Sequence, residues 1–147
     1  MPLDLTFAEK NRASRERIKT LVARLTDEEL LTPIGEHWTV AVALAHMVFW
    51  DRRVMYVLEM TKRNNGEVYV PNLEVAVNDL SLPLWKAIPP REAARICIEV
   101  AEECDRQLEA YDRGLLEKIY ETNKRWVVRA LHRNEHLDEV DAALKNR

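Results

Sequence analysis

The sequence predicts an all-α protein, and three observations carry that expectation. Glycine is scarce, three in 147 residues, so few positions are set aside for left-handed backbone. Long stretches are rich in Ala, Leu, Glu and Arg, which lose little side-chain freedom in a helix. Apolar residues recur at three-and-four spacing, the period of one buried helical face. Four long segments of this kind imply a four-helix bundle, read as a single domain spanning residues 1–147. Such a chain can bury roughly two thirds of the surface it exposes when unfolded.

The first helix is expected to start at Thr6, whose spacing to Glu9 reads as a capping box, and to bury Phe7, Ile18, Leu21, Val22 and Leu25. A second box, Thr26 to Glu29, opens a short helical turn that Pro33 and Gly35 close. The second long helix begins after the N-cap candidate Thr39 and runs to about Arg63, where Asn64, Asn65 and Gly66 stop it. The third starts near Pro90 and runs to Tyr111, with Gly114 as its C-terminal signal. The fourth runs from about Thr122 to Leu144. Between the second and third lie about 26 residues, Asn64 to Pro89, against the ~2–8 usual between antiparallel neighbours. A crossover is therefore expected, with those two helices parallel and the stretch "VYVPNLEVAVNDLSLPLW" draped over the bundle.

Charge narrows the function classes. Lys and Arg number 22 and Asp and Glu 25, a net of −3, which gives no basic surplus for nucleic acid. The longest run without Asp, Glu, Lys or Arg is His37 to Trp50, shorter than the about 20 residues a membrane span needs. The opening "MPLDLTFAEK" is too acidic and polar for a secretory signal, so a cytoplasmic location is expected. Cys97 and Cys104, seven apart on one helix, stand about 10 Å apart along its axis. That exceeds the about 7 Å a disulfide tolerates, so both read as reduced core thiols.

The histidines carry the chemistry. In "LAHMVFWD" His46 shares a helical face with Val42, Ala43, Phe49, Trp50 and Val57, so its imidazole points inward. His132 and His136, in "LHRNEHLDE", are four apart and stack on one face. That spacing can place two nitrogens on one metal, and a third histidine would complete three neutral donors with a position left for water. A hydrogen-bonded core histidine and a solvated helical pair satisfy the same spacing, and the sequence pattern leaves both open. His37, ahead of the helix, reads as a loop residue.

"HWTVAVALAHMVFWDRR", followed about 85 residues later by "LHRNEHLDEVDAAL", resembles the DinB-like superfamily of small bacterial proteins. The shared features are a Trp-Thr-Val helix start, a histidine shortly after, a Trp-Asp pair and a late H-x-x-x-H. Here they fall on Trp38, Thr39, Val40, His46, Trp50, Asp51, His132 and His136. The resemblance implies an up-down-down-up bundle and a His46, His132 and His136 triad for a divalent metal such as Ni²⁺ or Zn²⁺. It also implies a metal-dependent hydrolase, or a transferase using a low-molecular-weight thiol such as bacillithiol or mycothiol as cosubstrate, acting on small electrophiles. The subgroup pattern H-R-G-Q is not matched; this chain reads "NEHLDE", so no subgroup's substrate carries over.

Around this centre, Glu135 and Glu139, three residues after His132 and His136 respectively, are candidates to orient an imidazole. Arg125 and Arg129 share the histidine side and suit a substrate carboxylate. Trp50 is a candidate pocket wall, and Asp51 a structural salt-bridge partner. No Ser-His-Asp spacing, phosphate loop or paired-carboxylate motif is present in the sequence, so catalysis would rest on the metal. The alternative is a ligand- or partner-binding bundle with a structural metal or none. A homodimer through apolar helix faces is compatible with either.

Overall fold

Local sequence decides where each helix starts and stops. In the computed structural model, which describes residues 2–72 and 77–146, the long apolar-periodic segments are helical. The described residues form α1 (Phe7–Arg24), α2 (Val40–Arg63), α3 (Val77–Ala87), α4 (Pro90–Ala110), α5 (Arg113–Thr122) and α6 (Ala130–Lys145). A two-stranded antiparallel ladder, β1 (Pro33–Ile34) with β2 (Trp38–Thr39), leads into α2. Among the described residues, the regular structure is thus all-helical apart from this hairpin.

Two of the expected caps form. Thr39 Oγ1 accepts the Val42 N–H at 3.2 Å, fixing the first turn of α2. The N–H of Glu29 donates to Thr26 Oγ1, and the N–H of Thr26 to Glu29 Oε1, the reciprocal bonds of a capping box. The turn they open is a 3₁₀ segment, Glu29–Leu31. Asn65 and Gly66, at φ 53° and 81°, take the left-handed backbone that ends α2.

Elsewhere the local chemistry differs from expectation. Thr6 does not cap α1; its hydroxyl and its N–H both donate to Asp4 Oδ1, at 2.6 and 2.9 Å. Asp4 prevails because a carboxylate is the stronger acceptor. Hydrogen bonds from Lys10 and Thr6 hold its carboxyl down at about 2. The long connection contains a helix, α3, which continues through Pro83, packs on α2 and buries Trp85. The part of the expected drape at residues 73–76 lies outside the described residues.

Gly114 does not end α4. It sits in the first turn of α5, which Asp112 caps by accepting the Leu115 N–H at 2.9 Å. The last long helix starts at Ala130 rather than Thr122. Asn123 and a 3₁₀ turn, Lys124–Trp126, intervene, and Trp126, Val127 and Val128 are all buried. The run breaks at Asn123, whose Oδ1 accepts the Arg125 N–H at 3.0 Å and caps the 3₁₀ turn ahead of α6.

α2 packs along α4, α1 lies against α4 and α6, and α6 also meets α2. Between these helices sits a buried ionic network centred on Arg133, which is 0% exposed. Its guanidinium donates to Asp51 Oδ2 at 3.0 Å, Asp105 Oδ1 at 2.9 Å, Ser14 Oγ at 3.2 Å and the Asn11 carbonyl at 3.2 Å. α1, α2 and α4 are thereby all fastened to α6 through one residue. Asp51 also accepts Arg129 Nε at 2.8 Å, in the structural role expected for it. Cys97 and Cys104 are buried and free, and burial pushes both thiols well above their usual range, so neither is a ready nucleophile. Among the described residues, no helix is long and apolar enough to cross a membrane.

Candidate metal centre

The capped start of α2 and the anchored α6 bring three imidazoles together. The one-turn spacing on α6 sets the rings of His132 and His136 4.7 Å apart, and His46 of α2 stands 5.0 and 4.4 Å from them. His46 Nε2 and His132 Nε2 are 3.0 Å apart. One ring nitrogen from each of the three lies within 4.8 Å of the others. Trp38 of β2 covers His46 at 4.8 Å and stacks on His136 at 5.9 Å. Trp85 of α3 meets His46 edge-on at 5.4 Å. A cleft of about 350 Å³ opens over the histidines, lined further by Trp50, Arg53 and Trp126.

Burial keeps these imidazoles neutral. It pushes His46 down to about 3, helped by His136 and Arg129. It lowers His132 further, with Arg129 and His136 adding to the effect, and it lowers His136 as well. Neutral imidazole is the form that binds a metal. The 3.0 Å Nε2–Nε2 separation is close to the about 3.4 Å between tetrahedral ligands at ~2.1 Å from an ion. His136 Nδ1 is buried without a hydrogen-bond partner, with Glu139 Oε2 alongside at 3.4 Å. Three neutral nitrogen donors in a part-buried cluster fit a divalent ion, and this three-histidine group can hold one.

What stands behind each ring sets its tautomer. Trp50 Nε1 lies 3.2 Å from both His46 Nδ1 and Asn78 Oδ1, and Asn78 acts on His46 in the direction that favours its protonated form. Two proton placements satisfy this trio. In one, the indole donates to Nδ1 and the proton of His46 sits on Nε2. In the other, Nδ1–H and the indole both donate to Asn78 Oδ1, and the Nε2 lone pair faces the other histidines. Only the second serves a metal at Nε2.

The remaining sequence candidates divide. Trp50 lines the cleft and touches His46. Arg129 is buried, paired with Asp51, and its Nη2 stands 3.4 Å from His132 Nδ1; it backs a histidine and is not free for a substrate. Arg125 borders the cleft, but both its terminal nitrogens are held by Glu135 at 2.8 Å. That pairing occupies Glu135, whose charge His136 still feels, while Glu139 lies alongside His136 at 3.4 Å. His37 is exposed at the hairpin, next to Glu36.

Sequence reasoning missed Asn78, Trp85 and Arg53. Asn78 and Trp85 reach the site only because α3 folds back on α2, for which no sequence signal existed. Arg53 lies three and seven residues beyond Trp50 and His46, so helical spacing placed it on their side. No curated protein and no solved structure gives a significant match to the chain. The family model of the DinB superfamily does match, over residues 11–142, so the chain with this three-histidine centre belongs to the DinB superfamily.

Proposed function

We propose that the protein is a metal-dependent enzyme, a hydrolase or a low-molecular-weight-thiol transferase, acting on small electrophiles at His46, His132 and His136. The observation that carries this reading is the meeting of three neutral imidazoles at the floor of an open cleft, where a merely structural ion would be enclosed. A bound Ni²⁺ or Zn²⁺ ion supplies Lewis acidity to water or to a thiol. The chain's own residues hold the three nitrogens, exclude bulk water with Trp38 and Trp85, and fix the His46 proton on the side of Asn78. Glu139 is the carboxylate placed to steady His136.

In the same reading, residues 1–147 form one domain, a four-helix bundle of α1, α2, α4 and α6 with up-down-down-up order and α3 in the crossover. The packing of α2 on α4 and of α1 on both α4 and α6 supports that order. Leu80 and Leu84, exposed on α3, offer an apolar face for a homodimer.

Metal analysis of protein purified without a nickel column, then loaded with divalent ions, tests the centre. About one equivalent is expected in the wild type, with strong loss in His46→Ala and His132→Ala. Full retention in both variants, or no metal in the loaded wild type, overturns the site. Thiol-conjugation and hydrolysis screens on the loaded protein then separate an enzyme from a binding protein.

A further inference from the structure

Arginines crowd this cleft, and they differ in how their charge is met. Arg125 is paired with Glu135, and Arg129 with Asp51. Arg53 has no carboxylate within ion-pair distance among the described residues, and its Nε is buried without a hydrogen-bond partner. Its guanidinium carbon lies 5.1 Å from the Trp50 ring and 5.0 Å from the Trp126 ring. Burial and the neighbouring Arg129 lower its pKa, as expected for a cation without a counter-charge, though a guanidinium stays protonated in water at neutral pH. Indole faces attract a cation but cannot accept its N–H groups in the plane of the fork. The site is thus complete in its apolar contacts and incomplete in its acceptors.

We propose that Arg53 anchors a carboxylate on the small molecule that occupies this cleft; this rests on the reading of the cleft as a substrate site. Indole contacts hold the flat guanidinium, and its N–H edge matches the two oxygens of a carboxylate. Arg53 lies two turns beyond His46, about 10 Å of helical rise, and side chains on a helix lean back toward its N-terminus. A ligand held at Arg53 therefore lays its uncharged part toward the three histidines. Specificity follows: acids are retained, and neutral molecules of the same shape are not.

Benzoate and its neutral isostere benzamide are the probes, titrated into metal-free and Co²⁺-loaded protein. Binding is followed by calorimetry and by the Arg53 Nε–H resonance, assigned through its loss in Arg53→Gln. The metal-free wild type is expected to prefer benzoate about tenfold, with the Arg53 resonance shifting. Arg53→Gln removes the preference, and Arg53→Lys, which keeps charge but not the fork, retains part of it. Equal binding of the two probes to wild type overturns the proposal, as does a preference that survives in Arg53→Gln. Tighter binding of inorganic phosphate than of benzoate overturns the carboxylate assignment. The Co²⁺ spectrum reports the histidine centre separately, so its absence would sink the metal reading while the metal-free titration still judges Arg53.

Discussion

Asn78 governs which nitrogen of His46 faces the other two imidazoles. Its amide oxygen accepts Trp50 Nε1 at 3.2 Å, and in the placement that serves a metal it also takes the His46 proton at Nδ1. Asn78→Ala removes that acceptor, and the indole is then left to donate to Nδ1, forcing the proton onto Nε2. Metal affinity, measured by chelator competition, is expected to fall about 10–100-fold, while Asn78→Asp keeps most of it. Unchanged affinity in Asn78→Ala would mean that Trp38 and Trp85 packing alone orient the ring. The three histidines stood out before any fold was known, but spacing left their meeting open and only the resemblance to the DinB-like superfamily joined them. An imidazole among Val42, Ala43 and Phe49 has no packing reason to be there, and His132 and His136 have the spacing of one turn. Asn78 was not legible as a site residue, since an asparagine in a connection carries no pattern of its own, whereas Arg53 lay on the Trp50 and His46 side by helical spacing and was passed over.

Helices are fastened to one another through Arg133, and the bundle's tolerance to change follows from that. Arg133→Met would leave Asp51 and Asp105 in the interior with only Arg129 and Arg15 as partners. Breaking a buried pair by removing one side destabilises by about 3–5 kcal/mol, and the midpoint of urea unfolding should drop accordingly. A loss below about 1 kcal/mol would show that water or rearranged arginines replace the network. Element starts were readable where a side chain has one good local partner, as at Thr39 and Thr26. At Thr6 the start was read correctly and only the capping bond was not, because its hydroxyl is engaged by Asp4. The late start of α6 was hidden because Trp126, Val127 and Val128 extend the apolar run without a gap, and the stop lies in Asn123, whose side chain caps the intervening turn.

At the scale of the whole molecule, three imidazoles kept neutral by burial make stability depend on acidity. His46 titrates ordinarily near 6.5 and is pushed to about 3 in the fold, so the unfolded chain takes up its proton first as pH falls. The stabilisation is complete above about pH 6.5 and is lost on the way down toward 3. For His46 alone this is on the order of 2 kcal/mol between pH 6.5 and 5, and His132 and His136 act in the same direction. The melting temperature of metal-free protein should fall over that range, and His46→Gln should flatten the fall; a flat wild-type profile would mean that the imidazoles are solvated. The all-helical architecture was visible from periodicity and scarce glycine, but the folding of α3 onto α2 depends on tertiary packing that no single segment encodes. That packing has one more consequence. All four tryptophans of the chain, Trp38, Trp50, Trp85 and Trp126, stand at the cleft or against His46. The ultraviolet emission of the entire protein is therefore emission from the site. An open-shell ion such as Ni²⁺ seated among the histidines would darken it, and closed-shell Zn²⁺ would leave it bright, so the molecule carries its own optical readout of what it holds.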